Sequence, residues 1–239
     1  MVGVIHSLKK EIARFRDVIY SRIYISPEAE KDIVKKFHRL YFDSHRFGKT
    51  WGDTFWLGAV TKKCPLDMWV YQEIIHELRP DVIVECGTAL GGSALFMATI
   101  CDLIGNGKIV TIDTKKTPNL PKHKRIKYLV GSSTSKEVLN QVKDMIKKRD
   151  KVMVILDSAH NRDHVFNELQ LYNNLVTKGS YLIVEDTQLN GHPVYPKYGP
   201  GPMEALNDFL KVNNDFMIDK SKEKFYMTFN PRGYLKKVR

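Results

Sequence analysis

The chain has 239 residues, 43% apolar and 27% charged, with a net charge of +11, enough for one large α/β domain or a domain with an appendage. No stretch approaches a membrane span and the first residues hold no uninterrupted apolar run, so neither insertion nor secretion is expected; three scattered cysteines, Cys64, Cys86 and Cys101, point to a reducing, cytoplasmic setting. The basic residues are dispersed and no zinc-finger, RNA-recognition or helix-turn-helix signature accompanies them, so nucleic acid rests on charge alone, and an acidic substrate, an anionic surface or plain solubility accounts for the charge as well.

Residues 1–70 read as a helical and irregular extension, a lid or an oligomer contact, and residues 71–239 as the main domain. The extension repeats apolar residues at helical spacing, Ile5, Leu8, Ile12, Phe15, Ile19 and Ile23, with Lys9, Lys10, Arg14 and Arg16 interspersed. Such a stripe is more often a packing face, for its own domain or another subunit, than an interfacial membrane helix. With the aromatic stretch Trp51, Phe55 and Trp56 it predicts a symmetric homo-oligomer. An amphipathic helix over 66–78 leads on, and Pro80 ends it. Strands at 82–84, 109–112, 126–130 and 152–156 alternate with helical runs, and a fifth strand covers 181–184. That alternation predicts a doubly wound, Rossmann-like parallel α/β sheet with helices on both faces. A proline- and glycine-rich loop follows Gly191-His192-Pro193 as far as Gly201-Pro202. A helix over 203–210 comes next, and the tail at 216–218 and 224–229 is expected to add antiparallel strands.

The chemistry gathers at strand ends. The apolar run Val152-Met153-Val154-Ile155-Leu156 finishes in Asp157, and Tyr181-Leu182-Ile183-Val184 finishes in Glu185-Asp186. Carboxylates at the rim of a sheet suit a hard divalent cation such as Mg²⁺, Ca²⁺ or Mn²⁺. Upstream, Glu85-Cys86-Gly87-Thr88-Ala89-Leu90-Gly91-Gly92 joins a strand to the helix opening at Ser93, a corner where glycines let the backbone approach a ligand. Its spacing is not the dinucleotide fingerprint, and no phosphate-cradling Lys-Ser/Thr pair follows, which disfavours a Walker-type site. Asp113 ends the next strand, placed to accept hydrogen bonds from ribose hydroxyls. The pattern reads as an S-adenosylmethionine site bordered by Glu85, Gly87, Thr88, Gly91, Ser93, Asp113 and Asp157, with Ser132 and Ser133 near the adenine.

Further segments stand out from Phe37 onward: Cys64-Pro65-Leu66-Asp67, the loop from Glu85 to Leu95, Leu156-Asp157-Ser158, Glu185-Asp186-Thr187, Asn190-Gly191-His192-Pro193-Val194 and Gly199-Pro200-Gly201-Pro202-Met203-Glu204-Ala205. In these the chain resembles the cephalosporin hydroxylase/rhamnosyl O-methyltransferase family. The resemblance implies a class I, S-adenosylmethionine-dependent, Mg²⁺-dependent O-methyltransferase acting on a hydroxyl of a sugar or natural product. Asp157, Glu185 and Asp186 would then hold Mg²⁺, and His160 would be the general base. His192 is a second candidate base, or a turn residue between Gly191 and Pro193. The chain departs from the family where Ala159 stands in place of a second Asp and Asn161 in place of a Ser. A metal-dependent hydrolase or hydroxylase is the alternative on this fold, but a non-haem iron site wants two histidines and one carboxylate, and three carboxylates are offered here. A non-catalytic nucleotide-fold binding protein would not need the acids and the glycine loop together.

Overall fold

The computed structural model describes residues 10–20 and 25–239. Ile5, Leu8, Lys9 and Ile23 of the amphipathic stripe lie outside the described residues. The remainder of the stripe is on a helix over 10–20 (α1), where Ile12, Phe15 and Ile19 are exposed.

A second helix, α2 (Pro27–Asp43), starts on Ser26, whose hydroxyl accepts from the Ala29 amide at 3.2 Å, with Pro27 in the first turn. A short hairpin of β1 (Phe55–Trp56) and β2 (Ala59–Val60) precedes α3 (Pro65–Leu78). Pro65 opens α3, and Arg79 closes it in the left-handed region (φ 48°) just before Pro80. The strands then follow as β3 (Val82–Cys86), β4 (Lys108–Asp113), β5 (Ile126–Val130), β6 (Val152–Leu156), β7 (Tyr181–Val184), β8 (Phe216–Ile218) and β9 (Tyr234–Lys237). Helices α4 (Gly92–Ile104), α5 (Lys136–Asp144), α6 (Arg162–Tyr172) and α7 (Pro202–Val212) lie between them. The seven-stranded sheet has the order β5-β4-β3-β6-β7-β9-β8; β5 to β7 run parallel, and β9 is antiparallel to both its neighbours.

The doubly wound sheet is explained by alternation along strands that are buried on both faces. On β3, Val82, Val84 and Cys86 join Val138, Leu169, Leu206 and Phe209 from α5, α6 and α7 in one core. Ile83 belongs to the other face, with Tyr71, Ile74, Met97 and Cys101 from α3 and α4. All three cysteines are buried free thiols. No helix among the described residues is long and apolar enough to cross a membrane.

Two expectations are corrected. No helix joins β4 to β5: the connection carries Pro118 and Pro121 and is irregular. The tail strand is Tyr234–Lys237, not 224–229. Phe229 instead turns into an aromatic cluster with Phe42 and Trp51 at 5.9 and 5.7 Å between ring centroids, and its amide is held by Asp67 at 2.8 Å. The same ring stacks on His38, whose Nε2 lies 2.5 Å from Oε1 of Gln188. These contacts seat α2 beside the carboxyl ends of the parallel strands, where crossover sheets bind ligands.

Candidate active site

Two cavities open at those strand ends. One, of about 290 Å³, is lined by Gly87, Ala89, Asp113, Ser133, Asp157, Ala159 and His164 among others. The second, of about 350 Å³, is walled by Phe42, Trp51, Leu189, Tyr195 and Tyr198 and floored by Asp157, His160 and Asp186. Gly87, Ala89, Asp157 and Ser158 border both, so a ligand in each would meet across Asp157.

The glycine loop is shaped by close approach. Gly87 has φ 108°, and a Cβ there would run into the backbone carbonyl of Asp157, so only glycine lets β3 pass the end of β6. Asp113 holds the loop from the other side. Its Oδ2 accepts from the Ala89 amide at 2.9 Å and its Oδ1 from the Lys115 amide at 3.1 Å. Glu85 is fully buried and accepts from Ser93 Oγ at 2.5 Å and Thr111 Oγ1 at 2.6 Å, so it braces β3 against β4 and α4. Burial raises its pKa, with Lys63 opposing. Ser93 and Thr88 line the larger cavity. Ser133 donates to Oε1 of Glu168 at 2.5 Å, beside His164, and Ser132 pairs with Thr134 at 2.9 Å. Glu85, Gly91 and Ser132 line neither cavity.

At the shared floor, Nε2 of His160 lies 3.2 Å from Oδ1 of Asp157 and 3.3 Å from Oδ2 of Asp186. One donor atom from each of Asp157, His160 and Asp186 lies within 4.8 Å of the others. Carboxylate oxygens with one imidazole are a donor set that fits a divalent cation. Asp186 adopts φ 55°, a left-handed conformation that aspartate tolerates better than most residues, and its amide donates to Oδ1 of Asn230 at 3.1 Å.

Glu185 stands outside that group of three. Its Oε1 accepts from Tyr71 at 2.6 Å and from Nζ of Lys63, and Lys63 also donates to Oδ2 of Asp157 at 2.5 Å. Lys63 is buried despite its charge. The charges follow from this packing. Burial disfavours the ionised form of Asp157, yet Lys63 and His160 outweigh it and hold the carboxyl below its usual range. Burial and the neighbouring Asp157 push Glu185 up to about 8, against the pull of Lys63. Burial also disfavours an imidazolium, but Asp186 and Asp157 raise His160 to about 9.

His192 is placed differently. Its Nε2 lies 2.9 Å from Oε1 of Glu204, whose other oxygen accepts from the Gly201 amide at 2.7 Å at the start of α7, and it does not line the cavity floored by Asp157. Lys63 and Tyr71 escaped sequence reasoning. Lys62-Lys63 looks like a solvated basic pair, and Tyr71 sits in the apolar stripe of α3.

The Rhamnosyl O-methyltransferase/CmcI family model matches residues 48–238. The chain belongs to this family. A relative named Rhamnosyl O-methyltransferase, from Mycobacterium bovis (strain BCG / Pasteur 1173P2), is 34% identical over 242 residues, covering 98% of this chain and 95% of that protein. A CmcI structure described with Mg and SAM aligns with a TM-score of 0.61 at 23% identity over 78% of this chain and 77% of that one. MycE from the mycinamycin biosynthetic pathway, in complex with Mg, SAH and mycinamycin VI, aligns at TM-score 0.55 and 16% identity, over 84% of this chain and 55% of that one. This member of the Rhamnosyl O-methyltransferase/CmcI family is thus an O-methyltransferase with the fold of the S-adenosylmethionine-dependent enzymes.

Proposed function

We propose that the protein transfers the methyl group of S-adenosylmethionine to a hydroxyl of a sugar or sugar-bearing natural product, assisted by Mg²⁺. The observation that carries this reading is the shared border of the two cavities. A cofactor in the smaller and an acceptor in the larger would meet at Asp157, beside the only cluster of potential metal ligands found among the described residues. The relatives named for rhamnosyl methylation support a sugar acceptor, and aromatic walls such as Trp51 and Tyr198 suit one. The CmcI and MycE structures described with Mg support the cation.

In this reading Asp113 accepts from the ribose, Ser133 borders the adenine, and the Gly87 turn brings the backbone close to the methionine end. Asp157 and Asp186 of that cluster, joined by Glu185 from outside it, would supply the carboxylates for the cation, which leaves the imidazole of His160 for the proton. When bound, the cation lowers the pKa of an acceptor hydroxyl and fixes its oxygen for in-line attack. Nε2 of His160 takes the hydroxyl proton. Without a cation, the acids beside His160 hold its imidazole protonated; neutralising those acids frees the base form. Within the extension up to about residue 70, α2 and the turn after it close the acceptor side through Phe42 and Trp51.

Calorimetric titration with S-adenosylmethionine, followed by incubation of labelled cofactor with a panel of rhamnosides with and without chelator, tests the reading. Cofactor binding and chelator-sensitive label transfer are expected. No heat with the cofactor would remove the methyl-transfer reading, and full transfer in excess chelator would remove the metal. The exposed face of α1 at Ile12, Phe15 and Ile19 supports a homo-oligomer; sedimentation showing only monomer at micromolar concentration would count against it.

A further inference from the structure

Lys63 and Tyr71 converge on one oxygen of Glu185, and the same lysine reaches Oδ2 of Asp157 at 2.5 Å. Three of the four are buried, Lys63 6% exposed, Tyr71 1% and Glu185 6%, while Asp157 is partly open to the larger cavity, which Lys63 also borders. The donors are held by their own surroundings. The Lys63 amide donates to Oγ1 of Thr54 at 3.2 Å, and Pro65 begins α3 two residues later. The Tyr71 hydroxyl is also within 3.4 Å of Nδ2 of Asn230, the residue whose Oδ1 accepts from the Asp186 amide. One polar network therefore runs from α3 through both strand-end acids to the turn after β7.

Two carboxylates brought together where little water reaches repel each other, and either one unpaired would turn away or take up a proton. An ammonium between them opposes both outcomes, holding the two carboxylates in place and pulling against the rise that burial and Asp157 impose on Glu185. It also divides the labour of each carboxylate. Oδ2 of Asp157 faces Lys63, while Oδ1 faces His160 and the cluster with Asp186. Oε1 of Glu185 is taken by the two donors, which leaves Oε2. Groups that grip the outer oxygen of a ligating carboxylate set its orientation, and removing them typically weakens a metal site.

We propose that Lys63 and Tyr71 are positioning residues, a donor clamp that fixes Glu185 and Asp157 so that each keeps one oxygen for a divalent cation. This rests on the metal-assisted reading above. The opposite account, in which Lys63 is a resident charge competing with the ion for the same oxygens, predicts the opposite sign, because removing a competing charge tightens cation binding.

The test uses Mn²⁺ as probe, titrated calorimetrically into the unaltered protein, Lys63→Met and Tyr71→Phe at one neutral pH, with S-adenosylhomocysteine titrated in parallel. Lys63→Met is expected to weaken Mn²⁺ binding by about 10–100-fold and Tyr71→Phe to weaken it less, with S-adenosylhomocysteine affinity unchanged in both. Loss of both affinities together would assign the pair a merely structural role and overturn the proposal, as would Mn²⁺ binding that is unchanged or tighter. If Lys63→Met does not fold, Tyr71→Phe decides by the same criteria. Should the unaltered protein take up no Mn²⁺, the metal-assisted reading fails and the clamp falls with it; Mn²⁺ uptake by the unaltered protein that the variants match removes the clamp alone.

Discussion

The imidazole of His160 stands 3.3 Å from Asp186, with Asp157 at 3.2 Å on its other side, and the two carboxylates raise it to about 9 against the cost of its burial. A cation whose pKa is raised on folding contributes stability that is fully present below its unfolded value of about 6.5 and is lost as pH rises through the folded value. Glu185, raised to about 8 by burial and Asp157, acts in the same direction, since it too holds a proton more tightly when folded. The metal-free protein should therefore melt at a lower temperature at pH 9 than at pH 6, and His160→Gln should flatten the upper part of that decline. Melting curves in chelator across this range check it. A melting temperature that climbs from pH 6 to pH 9, or a decline that His160→Gln leaves unaltered, would contradict the assignment.

Much of this arrangement was legible in the sequence because it is local. Buried parallel strands announce themselves as unbroken apolar runs, and the acids at 113, 157 and 186 stand where those runs open onto the two cavities, whereas Glu85 and Glu185 are buried among their own hydrogen-bond donors. The short separation of Asp157 from His160 similarly put both on one turn. What depends on distant packing was not legible. The separation of 122 positions between Lys63 and Glu185 leaves no periodicity to read, and a lysine is ordinarily solvated. The tail misled for a related reason. Phe225-Tyr226-Met227-Thr228-Phe229 has more strand character than Tyr234-Leu235-Lys236-Lys237, but Asp67 and the aromatic cluster under α2 claim the first segment, and the open place beside β7 goes to the second.

Gly87→Ala should be among the most damaging single-methyl changes in the chain. The added Cβ meets the backbone of Asp157, which has no flexible end to move aside, and φ 108° is unfavourable for any side chain. A loss of more than about 3 kcal/mol is expected, at the severe end for point substitutions. Urea unfolding monitored by circular dichroism measures it, and a midpoint near that of the unaltered protein would show that the loop relaxes freely.

Asp113 has a double task, since it already accepts from the Ala89 amide and in the proposed reading also accepts from the ribose. Asp113→Ala removes a charged acceptor, a loss of about 1.5–3 kcal/mol in cofactor binding for one such hydrogen bond. Calorimetry with S-adenosylmethionine reads this directly. An affinity equal to that of the unaltered protein would dismiss Asp113 as a ribose partner and leave it a loop brace.

Asp157 is the one residue that borders both cavities, contacts the buried ammonium and belongs to the cluster of potential ligands. Asp157→Asn keeps its shape and removes its charge, so cation-dependent turnover should vanish while S-adenosylhomocysteine still binds through the glycine loop and Asp113. His160→Gln should separate from it. That variant retains the carboxylates and should still take up Mn²⁺ and cofactor, yet lose about 10²–10⁴-fold in rate, the usual cost of removing a general base. Because a bound cation would already have lowered the hydroxyl pKa, part of the lost rate should return as pH rises and hydroxide replaces the imidazole. The two variants compared across pH, with and without added Mg²⁺, divide the roles. Equal rates for His160→Gln and the unaltered enzyme at neutral pH would strip His160 of the proton transfer, and Mg²⁺-stimulated turnover in Asp157→Asn would move the cation away from Asp157.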